Sequence, residues 1–158
     1  MPACRLIIEP EPHSGVWNMA VDGALLNGLR PGDPAVLRWY RWAEPTLSLG
    51  YFQRPGEVAA DSRWDGLPVV RRLTGGGAIL HDDEWTYSCV LPPDQRLIRH
   101  PYELYDRIHE AIIAWFDQTW GLPLAQRGTT YHAPAEPTLC FLREDSHDVC
   151  HAGRKVLG

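Results

Sequence analysis

The sequence predicts a single α+β domain built from short strands and two helices. Apolar residues that alternate with other residues at a period of two indicate strands, most clearly at 36–42, 46–50 and 85–90. Apolar residues at three- and four-residue spacing indicate helices over 17–29 and between Pro101 and Gly121. The 158 residues are enough for one domain but few for two, so we interpret 1–158 as one domain.

The elements are separated by residues that favour turns. A strand at 4–9 is followed by the proline- and glycine-containing stretch 9–15, and two prolines within 29–34 end the first helix. We expect residues 78–80 to pair with 85–90 as a hairpin closed by 81–84. The second helix carries an apolar stripe that is expected to pack in the core, made of Tyr105, Ile108, Ile112, Trp115 and Phe116. A short strand at 138–142 and a turn followed by a strand at 153–158 complete the prediction.

Composition and charge exclude several classes of protein. Hydrophobic residues make up 44% of the chain and charged residues 22%, which are values of packed globular domains rather than disordered chains. The apolar runs are far shorter than the ~20 residues that span a bilayer, so no membrane association is expected. A net charge of −5 disfavours a general nucleic-acid binder. Because residues 1–9 show no secretory signal and the four cysteines form no CxxC pair, we expect a cytoplasmic protein with thiols.

The most unusual segment places two arginines shortly before three consecutive glycines. Ordering Gly75, Gly76 and Gly77 costs backbone entropy, so the segment must need a positive φ or the close approach of another group. Backbone N–H groups there could hold a phosphate or an acyl carbonyl, with charged donors from Arg71 or Arg72. The alternative is a glycine-rich bulge that only bends a hairpin.

Four segments together resemble the lipoate-protein ligase and octanoyltransferase family. They are residues 17–22, 37–50, the RRxxGGGAxxHD string at 71–82, and the GRKVxG string at 153–158. The resemblance implies an α+β fold with a mixed, mainly antiparallel sheet and flanking helices, the class II synthetase-like catalytic domain shared with biotin ligases. It also implies that the family domain continues beyond GRKVxG. The predicted domain is therefore incomplete at its C-terminus, and we expect an open sheet edge and an uncovered apolar face.

The resemblance also implies the residues of a site. The loop lines the acyl group through Arg71, Arg72, Thr74, Gly75, Gly76, Gly77, Ala78 and His81. Lys155 corresponds to the family lysine that reaches the acyl carbonyl, where an ammonium stabilises the oxyanion that forms during attack. Gly23 departs from the family pattern, which usually has an acidic residue at that position.

Cys140 distinguishes two mechanisms within the family. In one octanoyltransferase branch, a thiol in a Cys-Phe pair takes the acyl chain from acyl carrier protein and passes it to a lysine of the acceptor domain. Cys140-Phe141 has this form, so we favour Cys140 and Lys155 as catalytic residues, with His81 or His147 as a candidate proton acceptor. A ligase that activates lipoate or octanoate with ATP and Mg²⁺ would need no cysteine. Cys140 would then be a buried structural residue, as it would be in a non-catalytic half-protein that only binds the acyl chain or the acceptor.

The expected partners follow from the same resemblance. The acceptor would be a lipoyl domain of the glycine cleavage H protein or of a 2-oxoacid dehydrogenase E2, and the donor would be acyl carrier protein. The thiol route needs no cofactor. A zinc site made of Cys140, His147, Cys150 and His151 is disfavoured because the spacing lacks paired zinc ligands. We expect acidic partners to meet a basic face made of Arg38, Arg41, Arg54, Arg71 and Arg72.

Overall fold

A computed structural model describes residues 4–56, 62–128 and 144–158. The described chain divides into two compact units, one ending at Gln95 and the other starting at Arg96, and each is treated by itself. The single domain over 1–158 stays a prediction. The predicted strand at 138–142 lies outside the described residues.

Strands and helices appear largely where the sequence predicts them. The first unit contains β1 (Cys4–Ile8), α1 (Gly15–Gly28), β2 (Ala35–Tyr40), β3 (Thr46–Leu49), β4 (Val69–Arg71), β5 (Ile79–His81) and β6 (Thr86–Val90). The second unit contains α2 (Pro101–Trp120), β7 (Ala125–Gln126), β8 (Val149–His151) and β9 (Arg154–Leu157). Among the described strands, β1–β2 and β3–β4 are parallel pairs and the other four pairs are antiparallel. The predicted α+β class with a mixed, mainly antiparallel arrangement is confirmed.

The first sheet has the order β1-β2-β6, and Asp22 of α1 is hydrogen-bonded to Arg38 on β2 and to Ser88 on β6. Along β2 the buried residues Val36, Arg38 and Tyr40 alternate with half-buried ones, as a period of two requires. Arg38 is fully buried and reaches α1, where it contacts the side chains of Asn18 and Asp22. A polar cluster rather than an apolar stripe therefore joins this helix to the sheet.

The second sheet has the order β4-β3-β5, and its central strand is buried throughout. Leu47 and Leu49 pack with Ala78 in the core of the unit. The predicted hairpin between 78–80 and 85–90 is wrong, because β5 pairs with β3 while β6 pairs with β2. Alternation shows which residues share a face but carries no information about the partner strand. The residues between β5 and β6 thus connect two sheets instead of closing one hairpin.

The second unit combines α2 with the antiparallel sheet β7-β8-β9. Pro101 begins α2, and Gly121 ends it in the left-handed conformation with φ of 61°. A turn at Ala152 and Gly153 joins β8 to β9, which confirms the predicted turn and strand at 153–158. Full burial of the apolar stripe on α2 is wrong, because Tyr105 is 46% exposed and Trp115 is 51% exposed. Trp115 packs instead against the neighbouring rings of Phe116 and Trp120 on the same helix.

Neither helix of the described residues is long and apolar enough to cross a membrane.

Candidate functional site

The glycine loop, residues 72–78, lies against the end of β3. The backbone N–H of Arg72 donates to Leu49 O over 2.9 Å, and the N–H of Tyr51 donates to Thr74 O over 2.8 Å. A Cβ at Gly50 would lie 2.0 Å from Gly76 O, so only glycine permits this approach. Gly76 itself has φ of 91°, which few other residues adopt. Two of the glycines are therefore required by close packing and by backbone conformation.

The Arg72 guanidinium bridges this loop to β3. It donates to Gly75 O and Gly77 O over 3.2 and 2.8 Å, and to the carbonyl and hydroxyl oxygens of Ser48 over 2.8 and 2.7 Å. Because C=O and the next N–H point in opposite directions across a planar peptide, the N–H of exposed Gly76 faces away from Arg72. The loop thus turns the Gly75 and Gly77 carbonyls toward Arg72 and the Gly76 N–H away from it.

Arg71 organises the neighbouring turn rather than the loop itself. Its Nη1 atom donates to the carbonyl oxygens of Gly50, Tyr51 and Gln53 over 2.9, 3.0 and 2.7 Å. The turn that it holds exposes two aromatic rings, Tyr51 and Phe52, which pack edge to face. Arg71 and Arg72 therefore both donate hydrogen bonds to backbone carbonyls of the first unit.

His81 is buried and both of its ring nitrogens have partners. Nε2 lies 2.7 Å from the Ser48 hydroxyl, and Nδ1 lies 2.6 Å from Glu84 Oε1. The ring also stacks on Trp42 with 3.9 Å between centroids. Glu84 accepts a second hydrogen bond from the Thr86 hydroxyl over 2.9 Å. These contacts connect His81 to the loop through Ser48 and Arg72.

In the second unit, Lys155 pairs with a buried carboxylate that the sequence analysis missed. Its ammonium lies 2.8 Å from Asp148 Oδ1, and the side chains of Lys155 and Asp148 are 11% and 3% exposed. The backbone N–H of Asp145 donates to the other oxygen of Asp148 over 2.9 Å. A Cβ at Gly158 would lie 2.1 Å from Lys155 Cε and 2.6 Å from Asp148 Oδ1. The last glycine of the GRKVxG string therefore leaves room for this ion pair.

Two histidines connect α2 to the segment that precedes β8: His109 lies on the helix and His147 lies in that segment. The Nδ1–H of buried His109 donates to His147 O over 2.6 Å, and burial lowers the pKa of His109. His147 is bonded to Asp145 through both its backbone N–H and its Nδ1. These bonds hold the pKa of Asp145 below its usual value, and the bond from the backbone N–H of His147 has the largest effect.

The structure brings some predicted site residues together and leaves one undescribed. Arg71, Arg72, the loop from Thr74 to Ala78, and His81 form one connected region in the first unit, and Lys155 lies in the second unit. Cys140 lies outside the described residues, as does Phe141. Among the described cysteines, burial and the nearby Cys4 raise the pKa of Cys89 to about 11, which makes that thiol a poor nucleophile near neutral pH.

Two further predictions can be compared with the described residues. Arg38 does not belong to a basic face, because it is fully buried in ion pairs with Glu9 and Asp22. No group of three or more His, Cys, Asp or Glu side chains able to hold a metal occurs within 4–56, 62–128 and 144–158. Ser48, Glu84 and Asp148 were not singled out from the sequence, because no motif or distinctive spacing marks these three residues.

The sequence comparisons place the chain in a family. The model of the lipoyl protein ligase A/B catalytic domain matches residues 14–158. The chain belongs to the lipoyl protein ligase A/B catalytic domain family.

Two relatives within this family are named octanoyltransferases. The chain is 34% identical over 96% of its length to octanoyltransferase LipM of Oceanobacillus iheyensis, covering 56% of that protein. It is 39% identical over 89% of its length to octanoyltransferase LipM of Moorella thermoacetica, covering 54% of that protein. The chain thus spans just over half the length of these relatives.

Solved structures share the fold. Lipoate-protein ligase A bound with ATP superposes with a TM-score of 0.69 at 23% identity, over 98% of this chain and 59% of the other. An archaeal bi-partite lipoate protein ligase studied with its E2 lipoyl domain, from Thermoplasma acidophilum, has a TM-score of 0.62 at 26% identity. That match covers 79% of this chain and 48% of the other. The ligase catalytic fold implied by the sequence motifs is thereby confirmed.

Proposed function

We propose that this chain is the acyl-handling part of an octanoyltransferase of protein lipoylation. The observation that carries the proposal is the 34–39% identity, over about nine tenths of the chain or more, to proteins named octanoyltransferase LipM. The transferred group would be octanoyl or lipoyl. The donor would be acyl carrier protein, and the acceptor would be the lipoyl domain of glycine cleavage H protein or of a dehydrogenase E2.

In the proposed reaction the acyl group moves twice, and no electrons are gained or lost overall. The Cys140 thiolate attacks the donor thioester, a new C–S bond forms, and the C–S bond to the donor breaks, so that the donor leaves as a thiol with the proton given up by Cys140. The amine of the acceptor lysine then attacks the acyl-cysteine. An amide bond forms, the C–S bond breaks, and the cysteine sulfur regains a proton. Exchange between thioesters is nearly isoergic, so this route needs no nucleotide.

Lys155 and the glycine loop would have separate tasks in this reaction. The Lys155 ammonium would stabilise the oxyanion, and its enclosed pairing with Asp148 supports this task because charge acts more strongly where water is sparse. The loop would hold the acyl carbonyl. The Gly76 N–H, turned away from Arg72 in an exposed residue, supports this assignment.

Incubation with octanoyl-acyl carrier protein tests the proposal directly. We expect the intact mass to rise by one octanoyl group and peptide mapping to place the group on Cys140. Cys140→Ser should prevent loading, whereas Cys150→Ser is the matched control and should load normally. A folded wild-type chain that never acquires the group would refute the transferase assignment.

An ATP-dependent lipoate ligase is the second candidate, favoured by the fold shared with lipoate-protein ligase A. In that case lipoate and ATP with Mg²⁺ should release pyrophosphate, and the release should survive Cys140→Ser. A third candidate is a half-protein that needs a second polypeptide, as the bi-partite archaeal ligase suggests. Activity that appears only when a second chain is added would support it.

A further inference from the structure

We infer that Glu84, His81 and Ser48 form a hydrogen-bonded chain that positions Arg72 and, through it, the glycine loop. His81 is then a positioning residue and not the proton acceptor for a cysteine thiol. The acyl-binding role of the loop rests on the proposed function, but the positioning of the loop does not. Neither Ser48 nor Glu84 belongs to the RRxxGGGAxxHD string at residues 71–82.

Donor and acceptor chemistry fixes the direction of the chain. A carboxylate only accepts, so the Nδ1 of His81, 2.6 Å from Glu84 Oε1, carries a proton. We assign Nε2 as the acceptor of the Ser48 hydroxyl at 2.7 Å, because that hydroxyl oxygen already receives a hydrogen bond from Arg72 and its own proton is free to be donated. Arg72 only donates, and its Nη1 lies 2.7 Å from the same hydroxyl oxygen. Each group therefore donates once to the next, from Arg72 through Ser48 and His81 to Glu84.

Among the described contacts, the Ser48 hydroxyl is the group that links Arg72 to His81 in this hydrogen-bonded chain. Ser48 lies in the buried central strand β3, where it is fully enclosed. Its hydroxyl alone joins Arg72 to His81, while its carbonyl receives a second bond from the same Nη1 atom. Since buried polar groups are costly when a partner is removed, a lost hydroxyl leaves Arg72 and His81 each with one bond fewer.

Arg72 passes the constraint to the loop because the same guanidinium holds Gly75 O and Gly77 O. A guanidinium is rigid and planar, so fixing one nitrogen restricts the direction of the other. The orientation of the two glycine carbonyls is thus set from β3 through Arg72. Stacking of His81 on Trp42 further holds the ring in place.

His81 is poorly placed to act as a general base. Its ring is 2% exposed, and both nitrogens are already bonded at 2.6 and 2.7 Å. To accept a proton from a thiol, Nε2 would have to leave Ser48, which would also release the hydroxyl that Arg72 contacts. The geometry therefore points to orientation of the loop as the role of His81.

Amide hydrogen exchange tests the inference without requiring enzyme activity. Two backbone bonds attach the loop region to β3, from Arg72 N–H to Leu49 O and from Tyr51 N–H to Thr74 O. In Ser48→Ala we expect these two amides to exchange about tenfold faster, relative to the Leu47 amide, than in the wild type. The Leu47 amide lies on the same strand as Ser48 and donates to Pro68 O, next to β4, so its exchange reports general loss of stability.

Ser88→Ala is the matched control, because its hydroxyl bonds Asp22 in the same unit without touching the loop chain. Ser88→Ala should change the ratio of the Arg72 and Tyr51 exchange rates to the Leu47 exchange rate by less than about twofold. If Ser48→Ala accelerates the Arg72 and Tyr51 amides no more than the Leu47 amide, the inference is overturned.

Glu84 provides an independent variant that tolerates substitution, since its side chain is 39% exposed. Glu84→Gln keeps an oxygen acceptor for Nδ1–H and should retain the wild-type exchange ratio, whereas Glu84→Leu should raise it. Nitrogen NMR of His81 should show the Nδ1–H tautomer in the wild type and in Glu84→Gln. A ring protonated on Nε2 in the wild type would contradict the assigned direction of the chain.

Loading with octanoyl-acyl carrier protein separates this inference from the proposed function. If the wild type loads, Ser48→Ala should raise the KM for the donor with little change in kcat, because the loop binds but does not react. If the wild type never loads while the exchange ratio responds as described, the transferase assignment fails and the positioning chain stands.

Discussion

At the scale of single residues, the pair of Lys155 and Asp148 shows how a nearly buried cation is stabilised. Removing two charges from water is costly, and the cost is offset only when the geometry satisfies both groups. Asp148 meets this condition by accepting from the Lys155 ammonium with one oxygen and from the Asp145 N–H with the other. Gly158 completes the arrangement by contributing no side chain.

Asp148→Asn should therefore destabilise the protein strongly. The substitution keeps the size of the side chain but removes the buried carboxylate that faces both the Lys155 ammonium and, at 3.6 Å, the Nε of Arg127. We expect a loss of about 3 kcal/mol in the free energy of unfolding, measured by urea titration. Asp145→Asn, at a carboxylate that is 58% exposed, should cost less than about 1 kcal/mol. Equal losses in the two variants would show that the buried carboxylate of Asp148 stabilises the fold no more than the exposed carboxylate of Asp145.

Two glycines of the first unit should respond in opposite directions to the same added methyl group. Gly23 lies inside α1, where a Cβ would meet Leu73 Cδ1 at an ordinary 3.6 Å, so Gly23→Ala should stabilise by roughly 0.5–1 kcal/mol. Gly50→Ala forces a Cβ against Gly76 O and should destabilise by more than about 2 kcal/mol. Thermal unfolding of both variants measures the contrast. A stable Gly50→Ala protein would mean that the loop does not lie against β3.

At the scale of elements, the sequence predicted positions well and partners poorly. The bounds of α1, α2, β2 and β3 follow from periodicity and from the prolines and glycines that end each element. The pairing of β5 with β3 instead of β6 did not follow. Periodicity is a local property of the sequence. Strand pairing depends instead on contacts between strands that are far apart in sequence, such as β3 and β5.

The same distinction applies to the candidate site. The glycine loop and Lys155 were identified through family motifs, because their spacing along the chain is distinctive. Ser48, Glu84 and Asp148 gain their importance only from partners that are far away in sequence or across a turn. A single sequence contains no trace of such contacts. Arg38 shows the converse error, since a charged residue in a strand was expected at the surface and is buried.

Helix α2 carries a test of pH dependence at His109. Burial lowers the pKa of His109, so the unfolded chain binds a proton more readily than the folded one. The contribution of neutral His109 to the stability of the fold is therefore complete above the unfolded pKa of about 6.5 and is lost as the pH falls below that value. His109→Asn keeps an N–H donor for His147 O but cannot titrate, so it should reduce the loss of stability between pH 7 and pH 5. Urea unfolding at the two pH values measures the loss, and an unchanged loss in the variant would assign the effect to other groups.

At the scale of the whole molecule, the distribution of charge limits how an acidic partner could bind. The chain has 20 acidic residues against 15 lysines and arginines, and several arginines are engaged internally. Arg38 is buried, Arg71 and Arg72 donate to backbone carbonyls, and Arg41 pairs with Asp83. Arg54 remains as an exposed cation next to the turn that carries the exposed rings of Tyr51 and Phe52. The basic face expected from five arginines is therefore reduced, and Arg54 is its best candidate.

If acidic acyl carrier protein docks at this turn, Arg54 should contribute to the encounter through a screened surface attraction. Arg54→Glu should weaken binding of octanoyl-acyl carrier protein by roughly tenfold at low salt, and the difference from the wild type should shrink as ionic strength rises. Arg5→Glu is the matched control, because it makes the same charge change at an exposed position on β1, which belongs to the first sheet and not to the sheet that contains β3. Biolayer interferometry over a salt series measures both variants. Equal weakening by the two substitutions would indicate that only net charge matters, because a local docking surface must distinguish between an arginine beside the turn and one elsewhere.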